Sequence, residues 1–66
     1  MDKPTKFYVE MNCKFINHVY KVKAAAIKYA QAKAAARNPE EDAIRVIDNN
    51  GDCHWSNQPD DEIVTA

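Results

Sequence analysis

Phe7, Val9, Met11 and Cys13 alternate with Tyr8, Glu10 and Asn12, a period of two that predicts a half-buried strand. The alternation breaks over Lys14 to Asn17 and resumes from Val19 to Lys23, with Tyr20 and Val22 on one face and Lys21 and Lys23 on the other. This second segment reads as a strand pairing with the first in a hairpin. A helix starting as early as His18 is the competing reading, and the β-branched and aromatic content of Val19-Tyr20-Lys21-Val22 favours the strand. From Ala24 to Arg37 eight residues are alanine and most others are Gln, Lys or Arg, which predicts a helix from intrinsic propensity alone. Ala26, Ile27, Ala30 and Ala34 recur at helical spacing and mark its buried stripe, whose small side chains let a helix lie close to a sheet. Arg37 suits the negative end of the helix dipole, Asn38 can take a left-handed cap, and Pro39 stops the helix.

Ala43 to Asp48 and Cys53 to Asn57 form two further strands around Asn49-Asn50-Gly51-Asp52. Asn-Gly between alternating segments is a strong hairpin signal, because a type I′ turn needs positive φ at both central residues. A turn centred on Asn50-Gly51 pairs Asn49 with Asp52, Asp48 with Cys53, Val46 with Trp55 and Ile44 with Asn57. Ile44, Val46, Cys53 and Trp55 then share one face, and Arg45, Ile47, His54 and Ser56 the other. The expected fold is a small α+β domain: an antiparallel sheet of three or four strands, ordered ββαββ or βαββ, with one Ala-rich helix packed on one face. Its expected core is Phe7, Val9, Met11, Tyr20, Val22, Ile27, Ala30, Ala34, Ile44, Val46 and Trp55.

The length of 66 residues allows a single domain, residues 1–66, with a small core. Its ordered part is expected over about residues 6–57; residues 58–66 read as an acidic tail, either flexible or adding an edge strand through Ile63-Val64. Two cysteines are too few for a disulfide-dense secreted scaffold. No apolar run approaches the roughly 18 residues that cross a membrane, and no apolar signal region follows Met1. The expected location is therefore the cytoplasm.

Charge sorts along the chain. Residues 1–37 hold eight cations against Asp2 and Glu10, a net of +6, and residues 38–66 hold eight acids against Arg45, a net of −7. The two halves either neutralise each other across the sheet or face apart and offer a partner a charged end. Glu40, Glu41 and Asp42 precede the final hairpin, and Asp60, Asp61 and Glu62 follow it. A closed hairpin brings both triplets to its open end as one negative patch that can occupy a site built for phosphates. The cations Lys21, Lys23, Lys28, Lys33 and Arg37 offer an alternative, a basic strip for nucleic acid, with Tyr8 or Tyr29 stacking on bases.

Other chemistry has little to build on. Cys13, His18, Cys53 and His54 are zinc-ligating types, but they lack Cys-x-x-Cys or His-x₃₋₅-His spacing, so no metal or other cofactor is expected. Asp48, Asn50 and Asp52 open like a calcium loop, which then fails at Cys53 and Pro59, where glycine and glutamate are required. One glycine cannot make a phosphate-cradling loop, and a core this small leaves no room for a Cys–His pocket, so no catalytic residue is assigned.

In its length, its single domain, the β-α-β-β-like order of residues 7–57 and its clustered acids at 40–42 and 60–62, the chain resembles the small anti-CRISPR proteins of phages and mobile elements. That resemblance implies a non-enzymatic inhibitor in the host cytoplasm that binds a Cas effector subunit and blocks DNA entry, in some members by imitating the charge of DNA. The expected partner is accordingly another protein, with nucleic acid as the alternative and the chain acting as a monomer or homodimer.

Overall fold

In the computed structural model, which describes residues 3–64, Asn12 and Cys13 both take positive φ, 53° and 69°. This two-residue turn of the primed type folds β1 (Phe7–Met11) directly back into β2 (Lys14–Tyr20), with Met11 opposite Lys14. The second strand therefore begins at Lys14, where the alternation was expected to break, and ends before Lys21. The pattern hid it because β2 lies at the sheet edge, with five of its seven residues exposed, so neither face imposes a polarity. It is also irregular: Val9 faces Ile16 but Phe7 faces Tyr20, and Asn17 at φ 64° lies in the intervening bulge.

The sheet order is β2-β1-β3-β4 with every pair antiparallel, where β3 is Ile44–Asp48 and β4 is Cys53–Ser56. The helix α1 (Lys23–Ala35) packs across β1, β3 and β2, giving the ββαββ form of the expected α+β fold. Ala26 and Ala30 are fully buried against Phe7, Val9, Ile44 and Val46, and this close alanine contact makes the core. Met11, Tyr20, Ile27, Ala34 and Trp55 pack around it, half-buried. Val22 does not: it is 59% exposed, because β2 has already ended and Val22 serves as the helix N-cap. At the other end the helix stops at Ala35, short of Arg37. Asn38 takes no left-handed cap; its side-chain oxygen accepts the Glu40 N–H and its carbonyl accepts those of Glu41 and Asp42, forming a turn.

The final hairpin departs from its expected register in an instructive way. Arg45 faces Ser56 and Val46 faces Trp55, but Ile47 faces Cys53, so His54 has no strand partner of its own. The Gly51 N–H donates to the Asp48 carbonyl and the Asp48 N–H to the Asp52 carbonyl, both at 3.0 Å. Within the loop Gly51 alone has positive φ, 89°. This is a three-residue loop built on a type I turn, not the two-residue turn centred on Asn50-Gly51. The longer loop shifts the pairing by one residue, and the bulge at His54 shifts it back. As a result Cys53 moves to the face of Ile47, while His54 joins Trp55 on the core side. Beyond Pro59 the chain returns along β4, and the Val64 N–H donates to the Cys53 carbonyl at 2.7 Å. Residues 65 and 66 of the expected tail lie outside the described residues.

Two turn substitutions should act in opposite directions in urea unfolding followed by Trp55 fluorescence. Gly51→Ala meets nothing within 4 Å, so its expected loss of about 1–2 kcal/mol is a pure backbone cost. Cys13→Gly relieves a left-handed non-glycine residue and should raise stability by about 1 kcal/mol.

Candidate functional site

The end of the sheet where β3 begins carries the acidic loops. Asn12 pins the first: its N–H donates to the Ala43 carbonyl, its side-chain oxygen accepts the Ala43 N–H, both at 2.9 Å, and its Nδ2 donates to Asp42 at 2.8 Å. Asn57 and Gln58 then bind that loop to the one following β4. Asn57 Nδ2 donates to the Asp42 carbonyl at 2.9 Å and Gln58 Nε2 to the Pro39 carbonyl at 2.6 Å. The two acidic triplets thus belong to loops that are hydrogen-bonded to each other.

They are not six equivalent charges, however. Asp42 is consumed structurally. The Asn12 amide chiefly, and the Arg37 guanidinium at 3.4 Å, hold its carboxyl below the usual aspartate range despite some burial. Asp61 accepts a hydrogen bond from the Ser56 hydroxyl. Glu40, Glu41, Asp60 and Glu62 are exposed, and their carboxylates have no hydrogen bond or ion pair among the described residues. The C-terminus of α1 lies just before this loop, and its unpaired carbonyls add to the negative field.

The basic strip is not assembled. Lys23, Lys28 and Lys33 are spaced five residues apart on α1, which turns each about 140° from the last, so they point in three directions. Arg37 is paired with Asp42. Lys21 and Lys23 lie together at the opposite end of the molecule, where β2 runs into the helix. Tyr29 packs near Tyr20, ring centroids 6.1 Å apart, and Tyr8 lies on the sheet face away from the helix.

The sequence pattern misplaced His54, putting it on the face of Arg45 and Ile47, and singled out no role for Asp48; the two are 9% and 3% exposed and their side chains meet at 2.6 Å. The other carboxylate oxygen accepts the N–H groups of Asn50 at 2.7 Å and Asp52 at 3.0 Å. Burial pushes the Asp48 carboxyl up, but hydrogen bonds from His54, Asp52 and Asn50 and the imidazole's charge outweigh it, and the group ends below its ordinary value. The signal in the sequence was an Asp at the first position of a type I turn with Gly at the fourth, which this loop fills with Asp48 and Gly51.

A carboxylate-oriented imidazole is half of a proton-transfer apparatus. Here it is enclosed: Phe7 packs edge-on to the ring at 5.5 Å, and Nδ1 is buried with no hydrogen-bond partner among the described residues. Both cysteines are free; Cys13 is exposed in its turn, and burial pushes the Cys53 thiol up, away from thiolate. Among the described residues no three His, Cys, Asp or Glu side chains group as metal ligands, and no helix is long and apolar enough to cross a membrane. No family profile, curated protein or solved structure matches the chain.

Because the folded-state pKa of Asp48 is depressed, its contribution is complete above the unfolded value, near pH 4, and is lost as pH falls toward the lower folded value. The urea midpoint should therefore drop on acidification below about pH 4. Asp48→Asn should lower the midpoint at pH 7 and flatten that acid limb.

Proposed function

We propose that this chain is a non-enzymatic protein-binding module whose acidic end docks on the nucleic-acid-binding surface of a partner protein. In its most concrete form it is a phage-type inhibitor that occupies a Cas effector subunit and keeps DNA out. The observation that carries this reading is the set of free carboxylates on Glu40, Glu41, Asp60 and Glu62, held on two loops cross-linked by Asn57 and Gln58. Loops tied in place before binding lose little freedom on docking, and like charges held together give a field that steers a basic groove toward them. The enclosure of the Asp48–His54 pair also supports a non-catalytic role, since a base that no substrate reaches serves stability.

The test replaces Glu40, Glu41, Asp60 and Glu62 by lysine and leaves Asp42 and Asp61, which hold the loops, untouched. Added to purified guide-loaded Cas effectors, the native chain should reduce target-DNA binding in a mobility-shift assay, less so as salt rises. The fourfold variant, with an unchanged circular dichroism spectrum, should need at least a tenfold higher concentration, the scale of a like-charge contact costing more than about 1.4 kcal/mol. Equal inhibition by the variant removes the acidic end from the reading; no inhibition of any effector by the native chain removes the Cas partner.

A further inference from the structure

The helix covers one face of the sheet and leaves the other open. Strand alternation places Tyr8 and Glu10, Phe15, Arg45 and Ile47, and Cys53 on that open face. Glu10 and Arg45 pair at 2.9 Å and neutralise each other at the end nearer the acidic loops. The Tyr8 and Phe15 rings stack across the β1–β2 pair, centroids 5.2 Å apart and planes 27° from parallel. Phe15 is 66% exposed, and on the same edge strand Val19 is 46% exposed. A phenylalanine this open in a domain short of core material contributes little to folding.

Cations border the aromatic pair on the side away from Glu10. Lys6 immediately precedes β1, its carbonyl accepting the Asn49 N–H at 3.1 Å, so it shares the strand parity of Tyr8. Lys21 follows β2 at the same end. Both are exposed, and neither has an ion pair among the described residues. Among the described residues, strand register places one carboxylate on this face, that of Glu10, already held by Arg45; Asp61 reaches the far side of it at β4, where it accepts the hydroxyl of Ser56.

We infer that the open face binds single-stranded nucleic acid: a base stacks on the free side of Phe15, backed by Tyr8, while phosphates of the strand running on from it toward the start of β1 meet Lys6 and Lys21. Charge selects this ligand over an apolar partner. An aromatic step flanked by unpaired cations matches a polyanion with stackable rings at both features. A single strand is favoured over a duplex because its bases are free to reach the ring. The site is separate from the acidic end and does not rest on the function proposed for it. The positive strip on the helix, which the geometry disperses, has no part in it.

The probes are fluorescein-labelled oligothymidine and oligouridine, titrated with the full chain in anisotropy measurements at low salt, with a duplex of equal length as comparison. Both single strands should bind, more tightly than the duplex, and affinity should fall as salt rises. Phe15→Ala should weaken binding about tenfold, the scale of one lost base stack. Lys6→Glu with Lys21→Glu should weaken it and flatten the salt dependence. Phe15 is exposed, so its variant should keep the native circular dichroism spectrum and urea midpoint. The inference is overturned if neither single strand binds, if the duplex binds as tightly, or if Phe15→Ala leaves affinity unchanged. A concentration-dependent dimer in sedimentation that Phe15→Ala abolishes overturns it too, and assigns the face to a second copy of the chain.

Discussion

The buried contact between Asp48 and His54 is the constraint around which the final hairpin is organised. A carboxylate taken out of water is tolerated only when its lone pairs are satisfied, and Asp48 meets three donors: His54, Asn50 N–H and Asp52 N–H. One comes from the three-residue loop, one from Asp52, which closes that loop, and the third from the bulge, so loop length and bulge are one device. Shortening the loop would move His54 outward and leave Asp48 buried and unpaired. The arrangement leaves His54 Nδ1 without a partner, a cost of about 1–3 kcal/mol that the rest of the contact must offset.

The second determinant is the alanine stripe. With Ala26 and Ala30 at the contact, α1 approaches the sheet closely enough for Val9, Ile44 and Val46 to be completely enclosed by a single helix. Among the described residues one helix, α1, covers the four-stranded sheet. The opposite face and the edge strand β2 are consequently left to solvent, with Tyr8 and Phe15 stacked there.

Topology also decides what becomes of the sorted charge. Glu10 with Arg45, and Asp42 with Arg37, cancel locally. The remaining charges largely face apart: Glu40, Glu41 and Asp60 lie at the end where β3 begins, with Glu62 just beyond where the chain turns back along β4, and Lys6 and Lys21 lie at the end where β1 and α1 begin. Lys14, beside the Asn12 turn, Lys33, in the last turn of α1, and Asp52, beside the hairpin loop, are exceptions. The helix dipole runs in the same sense, so the molecule has a negative end and a positive end despite a formal net charge of only −1.

Local signals were enough for the parts whose reason is local. Alternation marked β1 and β3, alanine content marked α1, and the flanking residues showed that both acidic triplets border one hairpin. The chain pattern by itself thus determined a small antiparallel sheet of three or four strands with one helix on it, along with most of its core, and left ββαββ and βαββ both open. It expected a second strand but put it at Val19 to Lys23 and could not place the start of β2 at Lys14, because an edge strand with five of seven residues exposed has too little burial to impose a period on Lys14-Phe15-Ile16-Asn17. Nor could it place His54 inside, because side-chain parity follows the loop length, and an Asn-Gly pair is compatible with either a two- or a three-residue turn. Which carboxylates remain free was likewise decided by tertiary structure. Asp42 is engaged by the Asn12 amide and the Arg37 guanidinium and Asp61 by the Ser56 hydroxyl, groups the fold brings to them from elsewhere in the chain.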